Sequence, residues 1–408
     1  MLWRSGKESS RRTSAKGGRY TPRLRGLLAI TLVAVLILLV ASVALMILFA
    51  WLMGVKLPPL SAGSLSGSAL PDLVRSTVSA GTLIAGTFAL VYAYRKQRID
   101  EAASFRADGE HLSKRYQDGA VQLGHERAAV RLAGVYSISR LADDWPDNRQ
   151  MCIDLLCAYL RMPYVSMVDN DDEYVVRASL FEVIRQHVQD PDAETSWSRY
   201  DFDFSGGTFD GLDLSGGKFY GIVTFQDSRF TGFQRREDGK NFGWFRLRNC
   251  VFKTGISFFQ ARFDQCVVSF DGSKFEAGEV FFGGAEFTDF NLFFRDSSFL
   301  GGRIYFGGGK FECSEKAGSR SLGHVWFNGA EFGGSELEFR GFRAIGAIEI
   351  EFDSVRMIAG RVDMAGLHLK SGYGTEPKLL VAPSEAVDGV LRMPPDSGRQ
   401  LEFDLPLR

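Results

Sequence analysis

Cysteine is scarce in this chain of 408 residues, and its five copies form no recognisable framework. Their number is odd and no two stand in a C-x-x-C pair, which excludes the usual redox and structural zinc spacings. We therefore expect small buried thiols in a reducing compartment rather than disulfides. The five are Cys152, Cys157, Cys250, Cys266 and Cys313.

Motifs for catalysis and ligand binding are missing as well. The run Gly307–Lys310 lacks both the glycine four residues earlier and the following Ser or Thr of a phosphate-binding loop. The acidic run 169–173 is followed by Tyr174 where a calcium loop needs glycine, so it is better read as a helix start. No Ser/His/Asp or Cys/His set is recognisable. We predict no enzyme, no catalytic residue, no cofactor and no metal site.

Two apolar segments predict a transmembrane helical hairpin. Residues 27–55 contain no charged side chain, and their 29 positions exceed the roughly 20 that a spanning helix needs. This run is longer than the apolar core of a signal peptide. Residues 76–94 form a second, more polar candidate whose small residues suit packing on the first. A helix lying along the bilayer is the alternative for the second segment.

Basic residues set the predicted orientation. Eight lie in the first 25 residues against the single acid Glu8, and Arg95, Lys96 and Arg98 follow the second segment. Because cytoplasmic flanks are enriched in Lys and Arg, both ends are predicted to be cytoplasmic, in a multi-pass protein of the cell membrane. The basic tail either touches anionic headgroups or only sets topology.

A helical domain is predicted between the apolar segments and the rest of the chain. Apolar residues recur at helical spacing over 127–143, 151–160 and 175–184. Pro146 is well placed for a helix start.

A repeat of twelve residues dominates 202–369. A regular copy reads apolar, any, Phe or Leu, two of any type, small, any, Phe or Leu, then four linking residues. Both halves place alternate side chains on one face of a strand, and glycine favours the corner between them. Such a period is typical of a solenoid with coils about 4.8 Å apart. Thirteen copies begin at Phe202, Leu212, Val223, Phe245, Ile256, Val268, Val280, Leu292, Ile304, Val325, Leu337, Ile350 and Val362.

The phenylalanines of this repeat are predicted to fill its interior. In the last three copies the small position is enlarged while the next large position loses its ring, as a filled interior of limited volume requires. These enlarged positions are Phe342, Val355 and Leu367, followed by Ala344, Met357 and Leu369. The predicted repeat core includes Phe263, Phe275, Phe287, Phe299, Phe311 and Phe332.

The small-x-Phe half resembles the pentapeptide-repeat family, in which those two residues lie inside a square, right-handed β-helix. The matching pairs are Ala261/Phe263, Ser273/Phe275, Ala285/Phe287 and Ala330/Phe332. Together with the membrane hairpin and the segments 122–127 and 152–163, the repeat is similar to membrane-anchored actinobacterial members. The steps here alternate five and seven residues instead of a constant five, so we expect an elongated cross-section. The resemblance implies a fold and no assigned activity.

We thus predict an α+β chain of five parts. A basic cytoplasmic tail (1–26) and a transmembrane helical hairpin (27–94) precede a helical domain (95–200). A right-handed, pentapeptide-repeat-like β-helix (201–370) and a C-terminal tail or cap (371–408) follow.

Two insertions lengthen the repeat period, at 231–244 and 312–322. Insertions in solenoids concentrate at binding faces, although drift in a tolerant corner explains them too. The candidate partner-binding residues in these loops are Arg235, Arg236, Lys240, Lys316 and Arg320.

The favoured function is a membrane-anchored, non-enzymatic scaffold or protein-interaction module. Its expected partners are the lipid bilayer and an unidentified protein, not nucleic acid, and a homo-oligomer stays open. The family resemblance implies an alternative, a DNA-mimicking modulator of a type II topoisomerase. Such mimicry needs a strongly negative rod, but residues 200–370 carry 20 basic and 23 acidic residues (20 − 23 = −3). A third hypothesis is an enzyme with an unrecognised site in 95–200.

Overall fold

The computed structural model describes residues 37, 40, 41, 43, 44, 47, 48, 51 and 52, and the ranges 69–163, 171–232, 243–313, 323–372, 377–392 and 394. The chain divides into two compact units, Met1–Ala107 and Asp108–Arg408. Within the described ranges, no helix has both the length and the apolarity needed to cross a bilayer. The transmembrane hairpin predicted at 27–94 is therefore not supported by the structure: its second segment, 76–94, lies within a described helix, and most of its first segment lies outside the described residues.

In the described ranges from residue 69 onward, four α-helices precede the strands. They are α1 (Ala69–Leu123), α2 (Ala128–Asp144), α3 (Arg149–Arg161) and α4 (Asp171–His187), with a 3-10 turn (Pro146–Asn148) before α3.

Helix α1 is much longer than the second apolar segment from which it was predicted. Its 55 residues continue through the charged stretch after residue 94 without a break. Arg, Lys, Gln, Glu and Ala dominate that stretch, and these residues have high helix propensity. The change from apolar to charged composition at residue 95 therefore does not mark a helix end.

Helices α2, α3 and α4 pack around one apolar core. Leu141, Ile153, Leu156, Leu180 and Ile184 are all fully buried, which confirms the three predicted helical periods. Helix α4 starts within the acidic run, so its described acids Asp171, Asp172 and Glu173 occupy the first helical turn, where negative charge is favourable.

The rest of the second unit is a parallel β-helix. Every recorded pairing between its strands is parallel and joins each strand to one about a coil later. The described strands are β1 (Phe202–Asp203), β2 (Thr208–Phe209), β3 (Leu212–Asp213), β4 (Lys218–Phe219), β5 (Val223–Thr224), β6 (Arg229–Thr231), β7 (Gly243–Arg246), β8 (Val251–Phe252), β9 (Gly255–Ser257), β10 (Arg262–Asp264), β11 (Cys266–Ser269), β12 (Lys274–Phe275), β13 (Glu279–Phe281), β14 (Glu286–Thr288), β15 (Asn291–Phe293), β16 (Ser298–Phe299), β17 (Arg303–Gly307), β18 (Lys310–Cys313), β19 (His324–Trp326), β20 (Glu331–Gly346), β21 (Glu349–Lys370) and β22 (Lys378–Arg392).

Each coil has four sides, and two twelve-residue copies complete one coil. Side A stacks β1, β5, β9, β13 and β17, and side B stacks β2, β6, β10, β14 and β18. Side C stacks β3, β7, β11, β15 and β19, and side D stacks β4, β8, β12 and β16. The long strands β20, β21 and β22 continue these sides around the last coils. We number coils from the N-terminal end, starting with β1–β4.

The ladder shows directly that a regular coil is two copies long. Ile256, Val280 and Ile304 are successive partners, and each of them begins the second copy after the one before (280 − 256 = 304 − 280 = 2 × 12). Strands start in steps of five and seven residues because each copy has a short and a long link. A constant five-residue step would close four sides in fewer residues, so this coil differs from a strict pentapeptide repeat.

The corner inside each copy uses left-handed backbone at the fifth residue. Its φ lies between 54° and 78° in twelve copies. The residue is the third of a β-turn in which, for example, Ala285 N donates to Phe282 O at 3.1 Å. This turn position favours Gly, Asn and Asp. The twelve residues are Gly206, Gly216, Asp227, Asn249, Gln260, Gly272, Gly284, Asp296, Gly308, Gly329, Gly341 and Ser354.

Phenylalanine rings stack along the interior in four columns, one for each side. On side B, the Phe263 ring centroid lies 4.5 Å from that of Phe230 and 4.3 Å from that of Phe287. On side D, the Phe275 centroid lies 4.9 Å from that of Phe299, and the two planes differ by 5°. These distances match the coil spacing, so the rings of successive coils stack on one another within a column.

Volume compensation in the last coils is confirmed. Phe342 and Ala344 are both fully buried, and Ala344 stands above Phe311 in the ladder. The Phe342 ring occupies the space that Ala344 leaves, with its centroid 4.5 Å from that of Phe311. A Cβ at Gly309 would lie 2.1 Å from Ala285 O and 2.7 Å from the Phe342 ring, so the small position is glycine here.

The helices close the N-terminal end of the β-helix. The Phe181 ring of α4 contacts Phe204 and Phe209 of coil 1 at 6.0 and 5.9 Å. The segment after α4 supplies backbone acceptors to the first edge strand, with Lys218 N donating to Val188 O at 2.7 Å. Apolar surface and unpaired strand groups at this end are thereby covered.

The β-helix extends beyond residue 370 at its other end. Strand β22 pairs with β21, which places Leu379 beside Ile350 and Val381 beside Phe352. Leu379 and Val381 are buried. They lie in the segment predicted as a tail or cap, so part of that segment continues the repeat.

Candidate interaction surface

The five basic residues predicted to bind a partner lie outside the described residues. The residues that flank the two insertions are described, and both insertions connect side B to side C. Gly232 and Gly243 flank the first insertion, and Cys313 and Gly323 flank the second. The insertions belong to coils 2 and 5, so their bases lie about 14 Å apart along one corner at a coil spacing of about 4.8 Å.

The six phenylalanines predicted for the repeat core lie in the interior columns on sides B and D, each at most 2% exposed. They are unavailable to a partner. Among the described residues of the β-helix, an interaction surface therefore has to use the outward positions of the repeat.

The outer face of side C, beside the corner with the insertions, carries aromatic side chains. Trp244 lies in coil 2, Phe293 in coil 4 and Trp326 in coil 5, all at outward positions next to interior residues. The rings of Phe293 and Trp326 stack at 4.9 Å. We call this face, Trp244 to Trp326, the aromatic–arginine face.

Arg295 is fixed between two of these rings and a carboxylate. Its guanidinium carbon lies 4.8 Å from the Phe293 ring centroid and 5.8 Å from that of Trp326. Its Nε donates to Asp271 Oδ1 at 3.1 Å, and its Nη2 donates to Asp271 Oδ2. This carboxylate raises the pKa of Arg295. The bidentate ion pair with Asp271 holds the Arg295 guanidinium in one orientation, in which it stacks on the rings of Phe293 and Trp326.

Trp244 is the most exposed ring of the face, at 49%. The guanidinium carbon of Arg246 lies 5.2 Å from the Trp244 ring centroid. Arg246 also approaches Asp213 of coil 1 at 3.9 Å. Trp244 and Arg246 therefore form a second aromatic–cation pair, two coils from Arg295.

A shallow polar floor separates the two pairs. Coil 3 contributes Val267, Ser269 and Asp271 there, and all three are buried although they point outward. They are short, and longer side chains of coils 2 and 4 stand on both sides of them in the ladder.

The C-terminal side of the face is acidic. Glu349 and Glu351 of coil 6 follow His324 and Trp326 in the ladder. His324 Nδ1 lies 3.0 Å from Glu349 Oε2. Burial lowers the pKa of His324, and the two glutamates oppose that shift. The face thus runs from Arg246 in coil 2 and Arg295 in coil 4 to carboxylates in coil 6.

These outward aromatics were missed in the prediction from sequence. The repeat pattern treats the position between its two apolar residues as unconstrained. Phe293 and Trp326 occupy that position, where a solvated sheet face ordinarily carries polar residues. An aromatic residue at an outward position of a regular repeat was the available signal.

The helical domain, to which the enzyme hypothesis assigned a site, carries a half-buried cluster of Arg131, Tyr159 and Glu173. Arg131 Nη2 donates to Glu173 Oε2 at 2.8 Å, and the Tyr159 hydroxyl donates to Glu173 Oε1 at 2.9 Å. Burial and the Glu173 carboxylate raise the pKa of Tyr159 to about 12, so the phenol is protonated at neutral pH. The cluster joins α2, α3 and α4.

Thiol chemistry is suppressed in this protein. All five cysteines are free and buried, as expected from the sequence. Burial raises the pKa of Cys152 to about 11 and that of Cys250 to about 12, so neither is a thiolate at neutral pH. Among the described residues, no three His, Cys, Asp or Glu side chains are grouped so as to hold a metal ion.

Compared with known proteins, the chain matches no family model, no curated protein and no solved structure significantly. The function is therefore inferred from the described geometry, above all from the aromatic–arginine face.

Proposed function

We propose that this protein is a membrane-anchored, non-enzymatic scaffold whose β-helix binds a protein partner through the aromatic–arginine face. Trp244 carries the proposal, since half of a large ring is left in solvent on a rigid sheet, next to Arg246. Trp and Arg are the side chains that most often dominate binding free energy at protein interfaces.

The rest of the face supports this use because it is held in place before binding. Arg295 is fixed by Asp271 and by two stacked rings. A partner then loses little free energy in ordering these side chains. The gradient from arginines to carboxylates along the face would favour one orientation of the partner.

Exposed apolar side chains support the membrane anchor. In the described helical residues Trp51 is 78% exposed, and Phe88 and Leu90 of α1 are each 73% exposed. Apolar surface of this kind is unfavourable in water and favourable in a bilayer. With the uncharged run 27–55, it supports a hairpin, and the flanking basic residues support a cytoplasmic β-helix.

We also propose that the chain is a distant relative of the pentapeptide-repeat family. The inward small residue followed by an inward phenylalanine, as in Ala285 and Phe287, supports this relation. The coil of this chain is longer than that of a strict pentapeptide repeat, and the longer link in each copy accounts for this difference.

Site-specific photocrosslinking tests the binding face. The full chain, in membranes of the organism that makes it, would carry a photoreactive amino acid at the exposed position 248 beside side C or at position 305 on side A. We expect one discrete adduct from position 248 and none of that mass from position 305. Trp244→Ala should remove the adduct, and Tyr305→Ala, which deletes an outward ring on the opposite side, should leave it unchanged.

The same adduct from both faces, or an adduct that survives Trp244→Ala, would contradict the assignment to side C. Alkaline extraction of the same membranes tests the anchor independently, since an integrated chain stays with the bilayer and a peripheral one is released.

A further inference from the structure

We infer that Arg95, Lys96 and Arg98 of α1 bind the anionic headgroups of phospholipids. This inference rests on the proposed membrane anchor and adds to it a lipid class and the side chains that recognise it. We call the three residues the basic collar.

The collar stands where an apolar helix surface ends. No charged side chain occurs over residues 76–94, and three cations follow within four residues. Successive helical residues are separated by about 100°, so positions 95, 96 and 98 spread over about 160° of the helix circumference. Headgroups on that side of the helix would therefore meet a cation.

Aromatic side chains adjoin the collar on its apolar side. Tyr92 and Tyr94 are largely exposed. The guanidinium carbon of Arg98 lies 5.8 Å from the Tyr94 ring centroid, so this side chain reaches back toward the apolar segment. Tyrosines at this position and arginines that extend along the helix are typical of the headgroup layer.

No ion pair is recorded for any collar residue among the described parts of the chain. The nearest acids along the helix are Asp100 and Glu101. Neither has a recorded ion pair with the collar, and Glu101 accepts a hydrogen bond from Gln97 Nε2 at 3.0 Å. Three neighbouring positive charges without an acidic partner repel each other, and an external anion would relieve this repulsion.

Phospholipid is a better ligand than a soluble anion for this arrangement. The collar has no enclosing wall, since all three side chains are exposed on one helix. A free phosphate would gain little from such an open site, whereas a bilayer presents many headgroups beside the apolar helix. The ligand chemistry is therefore a phosphodiester bearing net negative charge.

Native mass spectrometry of the full chain, released from nanodiscs that mix zwitterionic and anionic phospholipid, tests the inference. We expect retained anionic lipid on the wild type. Arg95→Gln/Lys96→Gln/Arg98→Gln should weaken retention by about fivefold for each cation removed. The matched control Arg106→Gln/Lys114→Gln/Arg140→Gln removes the same charge from exposed positions beyond the collar and should retain lipid as the wild type does.

Equal retention by the collar variant and the wild type would overturn the inference, as would complete displacement of the lipid by millimolar inorganic phosphate. Protease protection in the same nanodiscs reports the topology of each variant. A chain that does not integrate at all refutes the proposed anchor, whereas an integrated chain without lipid preference refutes only the collar.

Discussion

Aromatic rings stack both inside and outside this β-helix, with similar spacing and different consequences. Phe263 and Phe287 stack at 4.3 Å inside, and Phe281 and Tyr305 stack at 5.1 Å on the outer face of side A. The parallel ladder imposes the spacing in both places. Burial differs, since the interior rings are closed off from water and the outer rings are half exposed. Stacking by itself is therefore a property of the ladder, and burial decides whether a ring stabilises the fold or is available to a partner.

The largest difference in stability between an inward and an outward substitution is expected when the inward one buries a charge. Ala285→Asp places a carboxylate at a fully buried position, and we expect a loss of at least about 4 kcal/mol in the free energy of unfolding. The neighbouring outward change Glu286→Asp should cost less than about 0.5 kcal/mol. Chemical denaturation of the full chain in detergent, followed by circular dichroism, measures both. Equal stability of the two variants would contradict the inward assignment.

Loss of an aromatic ring should have the second-largest effect on the free energy of unfolding. Phe263→Ala removes the contacts of one ring with both neighbours in its column, and we expect a cost of about 3–5 kcal/mol. Phe281→Ala, on the outer face, should cost about 1 kcal/mol, because it exposes little new surface. The same denaturation experiment compares the two. Comparable losses would show that the outer rings also support the fold.

Removing a serine hydroxyl should give a smaller difference in stability between an inward and an outward position. The buried Ser273 hydroxyl donates to Leu247 O at 2.6 Å and accepts from Cys250 N at 3.0 Å, linking two coils. Ser273→Ala leaves both backbone groups without this partner and should cost about 1–3 kcal/mol. Ser298→Ala, at the outward position of side D, should change the unfolding free energy by less than about 0.5 kcal/mol. A larger loss of unfolding free energy for Ser298→Ala than for Ser273→Ala would contradict a stabilising role of these hydrogen bonds between coils.

The smallest effect on stability is expected at the proposed binding face. Trp244→Ala removes one cation–π contact with Arg246, worth about 0.5–1 kcal/mol at an exposed site. Thermal melting should therefore remain close to that of the wild type while the crosslinked adduct disappears. A large fall in melting temperature would mean that Trp244 is part of the structure and would weaken the case for a partner.

Much of the β-helix could be predicted because the repeat alternates with the period of a strand. Phe287 and its equivalents are inward, as the alternation requires, and the compensation between Phe342 and Ala344 marks them as neighbours in one volume. The continuation into β22 could not be predicted in the same way. There the second apolar residue is Val381 instead of Phe, and Pro383 interrupts the pattern, although proline is tolerated in an edge strand.

The candidate surface was less accessible to prediction. The aromatic–arginine face joins Trp244, Asp271, Phe293 and Trp326, which are widely and unevenly spaced along the sequence. The coil length decides which of these residues become neighbours. The common corner of the two insertions is likewise set by the order of the sides and cannot be read from either insertion alone.

The amino-acid sequence by itself determined which side chains point inward, because residue size and alternation along a strand decide what a dry interior accepts. The helical periods of α2 to α4 and the apolar segment before residue 95 follow from composition in the same local way. Only the tertiary structure decided which outward residues meet, since neighbours across the ladder depend on the length of each coil and on the insertions between sides B and C. Whether two residues become neighbours across coils depends on the number of residues between them. A contact between coils therefore cannot be read from a single copy of the repeat.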